Sequence, residues 1–194
     1  NWKLKYYHAL NLWGKDRKAE ASNIMEAIGD TPDYAPFYLA RANFLKDFAG
    51  KDPIVDLKKA HQLENNNWRT WMALINDNID KKQWKEGLTI AEDAYEKFPE
   101  NYAIGMKLAQ ILNENGRYNT SINLLDQIKV LPFEGASEGR ILYKKAHYWE
   151  ALKQIEEQNY TAALSLLKKS KAWPENLGVG KPFNPDERMP DYLI

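Results

Sequence analysis

The stretch Lys82-Gln83-Trp84-Lys85-Glu86-Gly87-Leu88, closed by Phe98-Pro99, decides the fold, because its pattern returns twice further along the chain. It returns as Gly116-Arg117-Tyr118-Asn119-Thr120-Ser121-Ile122 running to Leu131-Pro132, and as Gln158-Asn159-Tyr160-Thr161-Ala162-Ala163-Leu164 running to Trp173-Pro174. Each copy has an aromatic residue, a small residue three positions later, and a proline after about one more helix. Pro99 and Pro132 stand 33 apart, whereas Pro132 and Pro174 stand 42 apart, so the last copy carries an extension. Pro32 lies 67 before Pro99, which is two units with the intervening proline replaced near Asn65-Asn66-Asn67.

A period of this length, roughly 34 residues, is that of the tetratricopeptide repeat, a pair of antiparallel helices. Where two helices pack with axes about 8–10 Å apart, the facing positions need small side chains. Ala42, Ala73, Gly87, Ala94, Ala109, Ser121, Ala151 and Ala163 supply them. Leu88, Ala91 and Ala94, and again Leu124, Leu125 and Ile128, recur at spacings of three and four, one apolar stripe per helix. Strand alternation is absent. With turn residues at Gly14, Gly29-Asp30, Gly50, Asn115-Gly116 and Pro174, the pattern predicts helix pairs over 2–13 with 16–28, 34–47 with 53–64, 67–79 with 82–97, 101–114 with 118–129, and 137–157 with 160–171. The expected fold is all-α, a TPR-like right-handed superhelix of about five helix pairs occupying 1–173.

The segment 174–194 is too rich in Gly and Pro for a long helix and is expected to be an irregular tail. A repeat array must close its apolar end, and Leu177, Val179, Phe183, Met189 and Tyr192 could fold back on the last repeat to do so. The long helix of the last pair is expected to protrude or to pack against this tail.

Composition narrows the function. Lysine plus arginine and aspartate plus glutamate each total 27, so no global field favours nucleic acid or an anionic membrane. No apolar run approaches the 18 or so residues of a membrane span. The absence of cysteine removes disulfides and thiolate chemistry, and fits either a reducing cytoplasm or a periplasm without disulfides. Asn1-Trp2-Lys3-Leu4 reads as a helical turn, not as a signal peptide, so the chain is read as a piece of a longer protein.

Chemistry-bearing motifs are sparse, and no cofactor is expected. Gly178-Val179-Gly180-Lys181-Pro182 fails as a phosphate loop, since Glu175 stands where the first glycine is needed and Pro182 where the hydroxyl is needed. His8, His61 and His147 lack the helical spacing that pairs two imidazoles on a metal. Asn184-Pro185-Asp186-Glu187 lacks the alternating oxygens of a calcium loop and is read as a turn followed by a helix cap. First helices line the inner face of such arrays. Projecting the register puts Tyr38, Arg41, Arg69, Met72, Asn76, Met106, Gln110, Asn113, Lys144, Tyr148 and Leu152 there, a mixture suited to an adaptable peptide groove and equally to an ordinary hydrated surface.

The last two repeats carry a more specific likeness. Leu131-Pro132-Phe133-Glu134-Gly135-Ala136-Ser137-Glu138-Gly139-Arg140, Tyr143-Lys144-Lys145-Ala146-His147, and Trp173-Pro174-Glu175-Asn176-Leu177-Gly178-Val179-Gly180-Lys181-Pro182-Phe183 with Asp186-Glu187-Arg188 resemble the C-terminal part of bacterial tetratricopeptide proteins of the DUF5107 family. Trp68-Arg69-Thr70-Trp71 and Phe98-Pro99-Glu100-Asn101-Tyr102 are similar too. The resemblance implies a position after a β-rich N-terminal domain associated with carbohydrate-active proteins, and implies no catalytic residue in this segment. Glu134, Arg140, Asn176, Lys181 and Arg188 are expected to form an internal polar network. The function expected is a non-catalytic scaffold that binds a protein or peptide, or that N-terminal domain. The alternatives are an accessory carbohydrate site around Glu134, Glu138, Tyr148 and Trp149, and a rigid spacer.

Overall fold

Asparagine sets where several helices begin. Asn1 accepts a hydrogen bond from the Lys3 amide (3.0 Å), Asn67 from Arg69 (3.1 Å), and Asn101 from Ala103 and Ile104 (3.1 and 3.3 Å). Each satisfies a helix-end N–H that has no partner inside its own helix, a contribution of about 1 kcal/mol. The asparagine run at 65–67, where the repeat's proline is replaced, therefore ends in a helix cap.

The computed structural model describes residues 1–133 and 136–194. Its described residues form helices and one 3-10 turn, with no strand. Two compact units emerge, Asn1–Lys82 and Gln83–Ile194. The first holds α1 (Trp2–Gly14), α2 (Lys18–Ile28), α3 (Ala35–Ala49), α4 (Ile54–Leu63) and α5 (Trp68–Asp80). The second holds α6 (Trp84–Lys97), α7 (Tyr102–Glu114), α8 (Tyr118–Gln127), α9 (Glu138–Glu156), α10 (Tyr160–Ser170), a 3-10 turn (Glu175–Leu177) and α11 (Arg188–Leu193). Within each unit consecutive helices pack on one another, and α3 also touches α5 as α7 touches α9. Contact between the first helices of successive pairs is what a stacked repeat requires.

Small side chains lie where the repeat demanded them. Ala42, Ala94, Ala109, Ser121 and Ala151 are fully buried, and Gly87 and Ala163 nearly so. Trp13 stacks on Phe44 in the first unit, ring centroids 3.9 Å apart. The hairpin turns reveal a regularity that composition hides. Asp16, Gly50, Gly116 and Gln158, each between packed helices of one unit, all have positive φ, between 60° and 71°. Two of the four are not glycine, so the turn geometry is imposed by helix pairing at a cost of roughly 1–2 kcal/mol each.

The tail follows a defined path on the second unit. Asn176 donates its side-chain amide to Leu125 O and Ile128 O (2.9 and 2.8 Å), and the Val130 amide donates to Asn176 O (2.8 Å). Leu177 is buried and Val179 half-buried, but Phe183 (98% exposed), Met189 and Tyr192 stand in solvent. The long helix α9 meets the tail: Lys144 donates to Asp186 O (2.9 Å), and Leu177 lies against Gly139.

His147 on α9 is buried, its Nδ1 3.0 Å from Tyr143 O. Burial holds its pKa below the ordinary value; the Tyr143 carbonyl and Asp126 oppose this, and Lys169 and Arg140 add to it. The unfolded chain therefore takes up a proton near pH 6.5 that the native state refuses. Stability from this group is complete above pH 6.5 and is lost as the pH falls below it, with a slope of at most about 1.4 kcal/mol per pH unit. Urea unfolding at pH 7.5 and 5.5 should show a larger loss for the unaltered chain than for His147→Gln; equal losses would contradict it.

Candidate functional site

In the first unit α3, α4 and α5 enclose a cavity of about 350 Å³. Leu39 and Asn43 come from α3, Leu57 from α4, and Trp68, Arg69, Met72, Ala73 and Asn76 from α5. Leu39, Leu57 and Met72 make an apolar floor, and the exposed amides of Asn43 and Asn76 stand at its edge. The Arg69 guanidinium sits 4.7 Å from the Trp68 ring centroid. Stacking of this kind fixes a cation while leaving its N–H groups available.

The other charges of the cavity are engaged. Lys46 binds Asp80 (2.5 Å), a hydrogen bond that raises the lysine pKa against the opposing effect of burial. Lys81 binds Asp52 (2.6 Å) and Asp77 Oδ2 (2.8 Å). Asp77 is buried at 3% exposure, and its Oδ1 has no hydrogen-bond partner. Lysine and aspartate thus neutralise one another, and Arg69 alone among the cavity's described cations lacks a carboxylate within bonding distance.

The inner-face residues expected from the sequence divide in two. Arg69, Met72 and Asn76 line the cavity. Tyr38 and Arg41 do not; both are buried, Tyr38 with its hydroxyl near Asp30 O and Pro32 O (3.0 and 2.9 Å), Arg41 in an ion network with Asp56 and Asp30. In the second unit Met106 is buried against Gly139, and Asn113 is buried with its amide donated to Leu142 O (3.3 Å). Gln110, Lys144, Tyr148 and Leu152 are half-exposed, with Lys144 tied to the tail and Tyr148 set edge-on to Trp149. The reason is register: on α3 the cavity-lining positions are Leu39 and Asn43, one and two residues beyond the projected Tyr38 and Arg41. The repeat itself held the signal, since Leu39 and Met72, like Asn43 and Asn76, stand 33 apart, the same offset as Pro99 and Pro132.

Two other expected constellations do not assemble among the described residues. Of the polar network, Glu134 lies outside the described residues; Asn176 binds backbone carbonyls, Lys181 is exposed, and Arg188 pairs with Asp186 (2.8 Å). Arg140 bonds to none of the described members. Of the carbohydrate constellation, Glu138 pairs with Lys107 (2.8 Å), and ten residues of helix, about 15 Å, separate it from Tyr148. A sugar ring could not reach both. Among the described residues no group of three or more His, Asp or Glu is clustered to hold a metal, and no helix is long and apolar enough to cross a membrane.

No family model and no curated protein matches the chain. Solved structures do. MamA matches with a TM-score of 0.63 and 13% identity, over 87% of this chain and 89% of that one. The fold is of the tetratricopeptide type. MamA from Desulfovibrio magneticus RS-1 gives 0.60 at 12% identity, covering 87% and 92%, and MamA of strain MSR-1 gives 0.59 at 16%, covering 87% and 94%. At such identities the likeness carries architecture, and the all-helical repeat array expected from the sequence is what it shows.

Proposed function

We propose that the chain is a non-catalytic protein-interaction scaffold whose first unit takes an extended peptide segment in the cavity between α3, α4 and α5. One observation carries this reading: Asn43 and Asn76 occupy equivalent positions one repeat apart, over an apolar floor whose own members Leu39 and Met72 are related in the same way. Neighbouring helices lie roughly 8–10 Å apart, close to the reach of three extended residues. Two amides so spaced can each give a donor and an acceptor to a peptide backbone. Arg69, held on Trp68, adds a cation for an acidic or carbonyl group of the same segment. The fold supports the role, because repeat arrays expose extended concave surfaces. The resemblance to DUF5107 proteins makes a β-rich domain of the same polypeptide one partner to offer it.

The test is a random-peptide array probed with the whole labelled chain, followed by titration of a selected peptide. Asn43→Ala and Asn76→Ala should each weaken binding about 5- to 10-fold, the loss of roughly one net hydrogen bond, with the thermal midpoint unchanged because both side chains are exposed. Selected peptides that bind all variants equally would refute the cavity as the site.

A further inference from the structure

Two arginines of this chain are buried to the same depth, 7% exposed, and are satisfied in opposite ways. Arg41 makes four hydrogen bonds: Nε and Nη2 to Asp56 (2.8 and 2.5 Å), Nη2 to Asp30 (2.5 Å) and Nη1 to Gly29 O (2.6 Å). Arg140 bonds to no described residue, and its Nε and Nη1 are buried without an acceptor. Its guanidinium lies over the indole of Trp173, 4.7 Å from the ring centroid, and the indole Nε1 is likewise buried without an acceptor. Three buried N–H groups without acceptors therefore belong to two side chains in contact. All are donors only, so no rearrangement among them can satisfy any.

Among the described residues no carboxylate pairs with the Arg140 guanidinium. Arg140 is in the first turn of α9, whose N-cap, Ser137, makes no side-chain capping bond, and whose one first-turn acid, Glu138, is paired with Lys107 at 2.8 Å. The described carboxylate whose charge acts on Arg140 is Glu187, and Glu187 is held by Lys171 at 3.0 Å. Burial consequently depresses the Arg140 pKa, with Glu187 opposing; for Arg41 the Asp56 hydrogen bonds more than outweigh burial. Buried polar groups without partners are rare in native proteins, and a cluster of one polarity marks a missing partner of the other.

We propose that Arg140 and Trp173 form a carboxylate-binding site. One fixed positive charge matches a monoanion, and a planar acceptor with two oxygens suits a guanidinium edge together with an indole N–H. A dianion such as phosphate would bring a second charge into a buried place with nothing opposite it. Trp173, Pro174 and Glu187 are only partly covered, so the ligand enters from the tail side of α9. The carboxylate is either an acidic group of a bound protein or a small free acid. The site lies in the second unit and stands apart from the peptide cavity of the first.

Nuclear magnetic resonance of the whole chain can read the donors directly, through the Trp173 indole N–H and the Arg140 Nε–H. Sodium acetate replaces sodium chloride at constant ionic strength. Both resonances should move together and saturate with one dissociation constant, and Trp173→Phe, which keeps the ring but removes the donor, should weaken the Arg140 response at least 5-fold. A glycine tripeptide that binds more tightly than acetate, and more tightly than its own amide, assigns the group to a protein terminus; equal affinity assigns a small acid. Linear drift without saturation, equal or tighter binding of inorganic phosphate, or an Arg140 signal that responds to acetate only in Glu187→Gln would each overturn the proposal. Should Trp173→Phe fail to fold, the acetate and phosphate titrations of the unaltered chain decide.

Discussion

Asp56→Ala is expected to destabilise the first unit by about 3–5 kcal/mol, the usual cost of leaving one member of a buried ion pair alone. Asp56 on α4 and Arg41 on α3 are both buried, and the carboxylate takes both Nε and Nη2 of the guanidinium. Arg41 is further enclosed by the rings of Phe37 and Tyr38, 5.1 and 5.2 Å from its centre, so it cannot swing to water without opening the core. Asp30 remains as a second partner, but its side chain is largely exposed and screened by solvent. The double variant Arg41→Met, Asp56→Leu removes both charges and should recover most of the loss, since an apolar pair of similar volume avoids desolvation altogether. Denaturant unfolding of the singles and the double gives the coupling. A cost below about 1 kcal/mol for Asp56→Ala, or a double variant worse than either single, would show that the network does not hold α3 to α4.

That network explains why the fold could be read from the sequence more completely than the surface. Helix pairing depends on small residues and apolar stripes at fixed spacing, and these are local; the expected spans fall within two residues of those observed at nearly every end. The fate of a polar residue depends on where distant segments arrive. Arg41 looked like a groove cation until Asp30 and Asp56, from a loop and another helix, converged on it. Arg140 looked like a network member, yet the tail brings it an aromatic ring, while the tail's Glu187 is held by Lys171. Lys82 and Gln158 could not be recognised as left-handed residues, because nothing in their side chains favours that conformation as glycine does, and Asp16 carries only aspartate's weaker tolerance of it. The cavity was half legible: Arg69, Met72 and Asn76 came from the projected register, and Leu39 and Asn43 needed the 33-residue offset to be applied backwards.

The tail offers the second large effect. Gly178→Ala should cost about 2–4 kcal/mol, combining the left-handed conformation at φ 67° with overpacking. A Cβ there would stand 2.9 Å from Val130 O and 3.2 Å from Leu131 O, and a backbone carbonyl cannot rotate aside as a side-chain tip can. The strain is relieved by parting 176–178 from 128–131, which releases the Val130-to-Asn176 hydrogen bond and draws Leu177 off Gly139. Helical content should stay nearly constant while hydrogen exchange at the Val130 amide accelerates by roughly 30- to 1,000-fold, which is the same energy expressed as a rate. Gly180→Ala is the control, for its Cβ would meet nothing within 4 Å and its backbone needs no special conformation. If the two variants exchange alike, the tail is not held at Gly178. If only Gly178→Ala opens, Trp173 loses its anchor beneath Arg140, and acetate binding should weaken in that variant while persisting in Gly180→Ala, because the indole donor is placed by the tail and not by the helices.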